Sequence, residues 1–140
     1  MREAPSDNIF GKILRGEIPS WEIYSDEHTY AFLDIFPQSL GHTLVIPRSY
    51  SLHLGEATDA EVSACLATVR RLLPAVRDGV KAGGATVLTN IGAEAGQTVP
   101  YLHWHIIPRS KSDHVSLYKP GEQLQSADAE RIQQAIRALL

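Results

Sequence analysis

Tyr101-Leu102-His103-Trp104-His105-Ile106-Ile107-Pro108 is the stretch from which the fold of this chain is read. Successive side chains of an extended strand point to opposite faces. Leu102, Trp104 and Ile106 are then expected to point into a core, while Tyr101, His103 and His105 share the other face. Two imidazoles side by side on one strand face admit three readings. They are solvated or core-rim histidines. Or they are part of a zinc site, which needs at least a third ligand from among His42, His53 and His114. Or one is a nucleophile and the other its neighbour in a phosphate or acyl pocket.

Working upstream, the strand is expected over about Val99 to Ile107, after a polar loop from Asn90 to Thr98 and an earlier strand from Ala85 to Thr89. Thr58-Asp59-Ala60-Glu61 has the form of a capping box. Val62, Cys65, Leu66, Val69, Leu72, Leu73 and Val76 follow at helical spacing, predicting a helix from Thr58 to about Val80 that Pro74 kinks or ends. Before it, Trp21 to Tyr24, Tyr30 to Leu33 and Thr43 to Ile46 are short apolar stretches bounded by Ser25-Asp26 and by Pro37 to Gly41, the pattern of an antiparallel meander. Asp7 is placed to cap a first helix carrying Ile9, Phe10, Ile13 and Leu14, stopped at Gly16. Ser126 to Leu140 reads as a last helix with Ile132, Ile136 and Leu139 on one face. Strands, a long helix, then more strands, with short helices at both ends, define an α+β class in one domain over residues 1–140.

Composition narrows the function. With 13 Lys plus Arg against 16 Asp plus Glu, the formal net charge is −3. That balance argues against a nucleic-acid coat or a polybasic membrane anchor. Hydrophobic residues make up 44% of the 140, enough for a packed core without disulfides. The single cysteine, Cys65, excludes an internal disulfide and a Cys-rich zinc site, and its place on the apolar face of the long helix marks it as core. No apolar run approaches the roughly 20 residues of a membrane span, and Met1 to Asn8 leads into no signal-like stretch. A soluble protein of a reducing cytoplasm is expected.

The chemistry concentrates around the two histidines. Neutral imidazole is nucleophilic near neutrality and leaves again readily, which suits phosphoryl transfer. In the adjoining loop, Gly92 and Gly96 permit close backbone approach, and Gln97 and Thr98 offer neutral donors to phosphate oxygens. No Gly-Lys-Ser/Thr follows, so this is not a Walker loop. His42 begins the apolar strand Thr43 to Ile46 and is open to a structural or a catalytic role. Asp34, between Leu33 and Ile35, suits either a ribose diol or the cap of the following turn.

Four stretches, taken together, resemble the HIT (histidine triad) family from about Asp7 to Arg109. They are Asp7 to Ile13 with Gly16-Glu17-Ile18-Pro19, then Ala31 to Pro37, then Gly41 to Pro47, then Glu94 to Val99 with His103 to Arg109. The family motif is H-x-H-x-H followed by apolar residues, and its middle histidine carries a covalent nucleotidyl group. The middle and third positions are His103 and His105, while the first is Tyr101. Zinc-bearing members hold the metal at positions that match Asn8, Gly11, Tyr50 and Tyr101. All four ligands are replaced together, which identifies a zinc-free variant.

The resemblance implies a HIT-like fold and a nucleotide hydrolase or transferase. His103 would attack the α-phosphorus of an adenosine phosphoramidate or, second, a dinucleoside polyphosphate, oriented by a main-chain carbonyl at its far nitrogen. His105 and His42 would donate to phosphate oxygens or steady the imidazole. Asn90, Gly96, Gln97 and Thr98 would hold the phosphate and leaving-group side, and Asp34 the ribose. Ile9, Phe10, Phe32 and Ile35 would line the pocket for a purine base. The resemblance further implies a homodimer with no resident metal or cofactor. The rival implied by Tyr101 is a nucleotide-binding scaffold that turns over negligibly.

Overall fold

The computed structural model describes residues 1–116 and 122–140. Five strands form one antiparallel sheet in the order β1-β2-β3-β5-β4, with β1 at Glu22–Ser25, β2 at Thr29–Leu33, β3 at Thr43–Pro47, β4 at Gly84–Leu88 and β5 at Trp104–Arg109. The meander expected of the first apolar blocks is β1-β2-β3. β5 then enters between β3 and β4, so the histidine-bearing strand lies in the sheet interior. His105 sits there with Leu44 on one side and Leu88 on the other.

One face of the sheet is covered by helix α2, Asp59–Gly79, whose Cys65, Val69, Leu72 and Val76 pack on Ala31, Val45, Trp104 and Ile106. The Thr58–Glu61 capping box forms at its start, satisfying two otherwise orphaned N–H groups. Pro74 does not end the helix. The carbonyl that a proline deprives of its donor belongs to Arg70, an exposed residue, and the helix runs on to Gly79.

The opposite face carries Phe10, Phe32, Leu44, Ile46 and Tyr101 in a second cluster, closed by helix α1 over Ile9–Leu14. The cap of α1 is Asn8, not Asp7: its side chain accepts the Gly11 N–H and donates to the Pro100 carbonyl. Both faces of the sheet are thus covered here, and every residue of β3 is buried.

Two further departures from the sequence reading have simple causes. β5 begins at Trp104, not Val99. Pro100 lacks an N–H, and the amides of Tyr101 and Leu102 turn to the Val99 and Ser51 carbonyls, so this stretch leaves the ladder. Helix α3, Ser126–Arg137, does form, but none of its residues is buried, and Ile132, Ile136 and Leu139 face solvent.

Candidate active site

The second face does not close completely. Between α1, the ends of β2, β3 and β5, and the loop before β5 lies a cavity of about 770 Å³, within the usual range for a small-molecule site. Its apolar wall includes Ile9, Phe10, Phe32 and Ile35, the residues that the resemblance assigns to a base pocket. Ile13, Ile18, Pro19, Leu44 and Leu88 also line it. The helical period of α1 carries Ile13 onto the same wall as Ile9, a signal that could have found it.

The polar end is built where β2 ends and β3 begins, beside the first residues of β5. His103, His105, His42 and Asp34 line it, joined by Asn90, Gly96 and Thr98 from the loop before β5. Gly96 adopts φ +94°, a left-handed conformation that disfavours any side chain. Its neighbour Gln97 does not face the cavity. Its amide oxygen accepts the Gly92 N–H at 2.8 Å, and its amide nitrogen donates to the Leu52 carbonyl at 2.7 Å and the Val99 carbonyl at 3.3 Å. Gln97 therefore braces the loop that carries Gly96 and Thr98, and the phosphate-binding role expected of it has no support in this geometry.

His103 is buried, with its ring edge against Phe10 at a centroid distance of 5.1 Å. Its Nδ1 lies 2.7 Å from the Tyr101 carbonyl. A carbonyl only accepts, so Nδ1 carries the proton and Nε2 keeps its lone pair. Thr89 Oγ1 holds the His103 carbonyl in turn, at 2.7 Å. The Tyr101 side chain runs the other way. It is 1% exposed, donates its hydroxyl to the Pro47 carbonyl at 2.5 Å, and packs edge-on against Tyr50 and Phe10. The phenol lies in the core behind the nucleophile and does not occupy the cavity.

His42 is buried between the Gln38 N–H, 3.0 Å from its Nδ1, and His105 Nδ1, 2.8 Å from its Nε2. His105 Nε2 is buried and has no hydrogen-bond partner among the described residues. Burial pulls all three imidazole pKa values down. For His105, burial and the neighbouring His103 and His42 bring it to about 4. For His103 the Tyr101 carbonyl and then the nearby Asp34 carboxylate oppose that effect only in part, and for His42 Asp34 does so. All three rings are neutral near pH 7, the state a nitrogen nucleophile requires.

Asp34 caps the turn that follows it and also reaches the cavity. Its Oδ1 caps the turn by accepting the Phe36 N–H at 2.8 Å, while Oδ2 stands 3.7 Å from His42 Nε2 at the cavity wall. Asp34, His42 and His105 also bring three ligand-type atoms within 4.8 Å of one another, the set to consider for a cation among the described residues. Neither His53 nor His114 belongs to it. The four positions matched to a structural zinc site offer poor donors. Gly11 has no side chain, Asn8 is spent on Gly11 and Pro100, and the phenols of Tyr50 and Tyr101 donate to the Pro100 and Pro47 carbonyls.

A fold with two strand-end histidines beside a glycine loop, over an apolar pocket, defines a small-molecule site of the histidine-triad kind. The HIT domain family model matches residues 15–112, and the chain belongs to that family. "Protein hit" of Bacillus subtilis is 42% identical over 123 residues, covering 81% of this chain and 85% of the relative. The solved structure of the histidine triad nucleotide-binding protein from Candida albicans superposes with a TM-score of 0.83 at 29% identity, covering 94% of this chain and 96% of that one. Adenylylsulfatase HINT3 of Arabidopsis thaliana is 36% identical over 108 residues, covering 77% of this chain and 55% of the relative. Nucleotide binding and hydrolysis are thus activities named within the family.

Proposed function

We propose that this protein cleaves nucleotides at the α-phosphate through a covalent nucleotidyl group on His103. One observation carries the reading: the Tyr101 carbonyl accepts a hydrogen bond from Nδ1–H of His103, leaving the Nε2 lone pair of a neutral imidazole as nucleophile beside the cavity. Nε2 attacks the α-phosphorus, and the bond to the leaving group breaks with its electron pair going to that group. Water supplies whatever proton the leaving group needs. A second water then attacks phosphorus, its proton passes to solvent, and the P–N bond breaks to return neutral His103 and release the mononucleotide.

The rest of the cavity suits such a substrate. Phe10, Phe32, Ile9 and Ile35 supply an apolar slot for a purine, and Asp34 Oδ2 is placed to accept from ribose hydroxyls. Gly96 and Thr98 offer main-chain approach and a hydroxyl to the phosphate. The lining residues include imidazoles, one carboxylate and neutral groups, with no Lys or Arg among those described. Adenosine phosphoramidate is the first choice of substrate, ahead of a dinucleoside polyphosphate. No metal is needed for the proposed steps. We further propose a cytoplasmic homodimer, for which the exposed Leu66 and Val80 along α2 offer apolar contact.

The test is turnover of adenosine phosphoramidate by the wild type and by His103→Ala, without added metal, with mass spectrometry of quenched wild-type protein for an AMP adduct. Turnover and an adduct, both lost in the variant, are expected. A wild type that binds AMP yet turns over neither this substrate nor a dinucleoside polyphosphate would establish the scaffold instead.

A further inference from the structure

We propose that the main-chain N–H of Gln38 is a positioning group of this site: it fixes the tautomer of His42 and, through it, that of His105, so that His105 presents an N–H to the phosphoryl group. The identity of the acceptor rests on the nucleotide-cleaving reading; the tautomers do not.

The argument follows protons along one line of contacts. A backbone amide only donates, so His42 Nδ1, 3.0 Å from the Gln38 nitrogen, must be the acceptor and carry no proton. A neutral imidazole has one ring proton, and in His42 it therefore sits on Nε2. Nε2–H donates across 2.8 Å to His105 Nδ1, which is then the lone pair of that ring. The proton of His105 is thereby assigned to Nε2, the buried nitrogen that lacks a partner among the described residues. His105 lies beside His103, with ring centroids 4.8 Å apart, so this unpaired donor stands next to the nucleophile.

The 2.8 Å contact by itself permits the reverse arrangement, with His105 donating from Nδ1 and His42 accepting at Nε2. His105 Nε2 would then turn a lone pair toward a phosphoryl oxygen, which repels it. Gln38 decides between the two. The same contact disfavours cation capture by Asp34, His42 and His105. A metal on His42 Nε2 would drive the ring proton to Nδ1, where it would meet the Gln38 N–H.

The loop that carries Gln38 is exposed at several positions, yet its path is firmly specified. Asp34 Oδ1 holds the Phe36 N–H, the Ser39 carbonyl accepts from the His42 N–H, and Ser39 Oγ donates to the Pro108 carbonyl at the far end of β5. Gly41 closes the loop at φ +93°, where an added Cβ would lie 2.8 Å from Val80 Cγ1. The amide is held in place by backbone and turn chemistry, independently of what the Gln38 side chain does.

The direct test is a long-range 15N–1H correlation spectrum of the labelled wild type near neutral pH, which reads each histidine tautomer. Protonation at Nε2 of His42 and His105 and at Nδ1 of His103 is expected. A His42 protonated at Nδ1 overturns the proposal. The second arm replaces Gln38 by its α-hydroxy acid analogue, which swaps the N–H for an ester oxygen and keeps the side chain. The expected result is loss of the His42 and His105 tautomers and a fall in kcat of about 10²-fold, with KM changing less than about threefold. Retention of wild-type tautomers and kcat in the folded ester protein overturns it, and Gln38→Ala, which keeps the N–H, serves as the tautomer control. If the ester protein does not fold, the wild-type spectrum decides alone. Absence of turnover in the wild type bears on the nucleotide reading, while the spectrum still decides the tautomers.

Discussion

The carbonyl of Tyr101 accepts from His103 Nδ1 at 2.7 Å while the hydroxyl of the same tyrosine donates to the Pro47 carbonyl at 2.5 Å, so backbone and side chain of one residue serve the site and the core separately. Tyr101→Phe removes the second contact, together with the longer one from the same hydroxyl to the Arg48 carbonyl. It is expected to cost about 1–3 kcal/mol of stability, because the Pro47 carbonyl is left buried and unpaired, and to leave kcat nearly unchanged. Urea denaturation alongside steady-state kinetics checks both parts. A large loss of kcat at unchanged fold would show that the phenol acts in the chemistry.

His103→Ala is expected to abolish covalent adduct and reduce turnover by several orders of magnitude, on the order of 10³-fold or more, as removal of a covalent nucleophile does. AMP binding, measured by calorimetry, should survive, because the apolar slot and Asp34 remain. Retained turnover in this variant would exclude His103 as nucleophile.

The fold was legible wherever an apolar block had clear turn residues at its ends, as at Tyr30 to Leu33 and Thr43 to Ile46, or a capping box, as at Thr58. It was less so where backbone donors decide. Val99 to Leu102 has strand-like residues, but Pro100 and the amides bonded to Val99 and Ser51 keep it out of the ladder. The alternation of His103 and His105 survives because the residues after them are in register with β3 and β4. The contribution of Gln38 was invisible in the sequence, since it is a main-chain group and any residue except proline supplies it. Gln97 is a case where the sequence does not separate roles, because an amide that suits a phosphate suits three backbone groups equally well.

Gln97 gives the corresponding test. Gln97→Met keeps the volume but removes the contacts to Gly92, Leu52 and Val99. The expectation is a stability loss of about 1–3 kcal/mol and a raised KM, from loosening of the loop that carries Gly96 and Thr98. Thermal unfolding and kinetics on the same protein read the two effects. Unchanged stability with impaired phosphate binding would instead return Gln97 to direct contact.

The three depressed imidazoles set an acid limit. In the unfolded chain histidine takes up its proton near pH 6.5, whereas folded His105 does so only at about 4. Between those values the unfolded state binds more protons, so stability is complete above about pH 6.5 and is lost as pH falls toward 4, by up to ~1.4 kcal/mol per pH unit for each such histidine. Urea midpoints are expected to climb from about pH 5 to about pH 7 and then level off. His105→Gln should flatten part of that slope. A midpoint independent of pH across this window would mean that the site histidines are not buried as neutral rings.

Asp34 divides its two oxygens between the Phe36 N–H and the cavity, and two substitutions separate those roles. Asp34→Asn keeps an oxygen for the turn but loses the negative charge. It is expected to fold like the wild type, raise KM for a ribonucleotide by about tenfold, and affect a 2′,3′-dideoxy analogue much less, since hydrogen bonds to a charged group contribute about 1.5–3 kcal/mol. Asp34→Ala loses the turn contact as well and should add a fall in stability. The carboxylate also opposes the burial that lowers the His42 and His103 pKa values, so its removal should lower both further, readable by NMR titration. Equal KM increases for ribose and dideoxyribose substrates would assign Asp34 to the turn and to the histidines, and would take the sugar contact away from it.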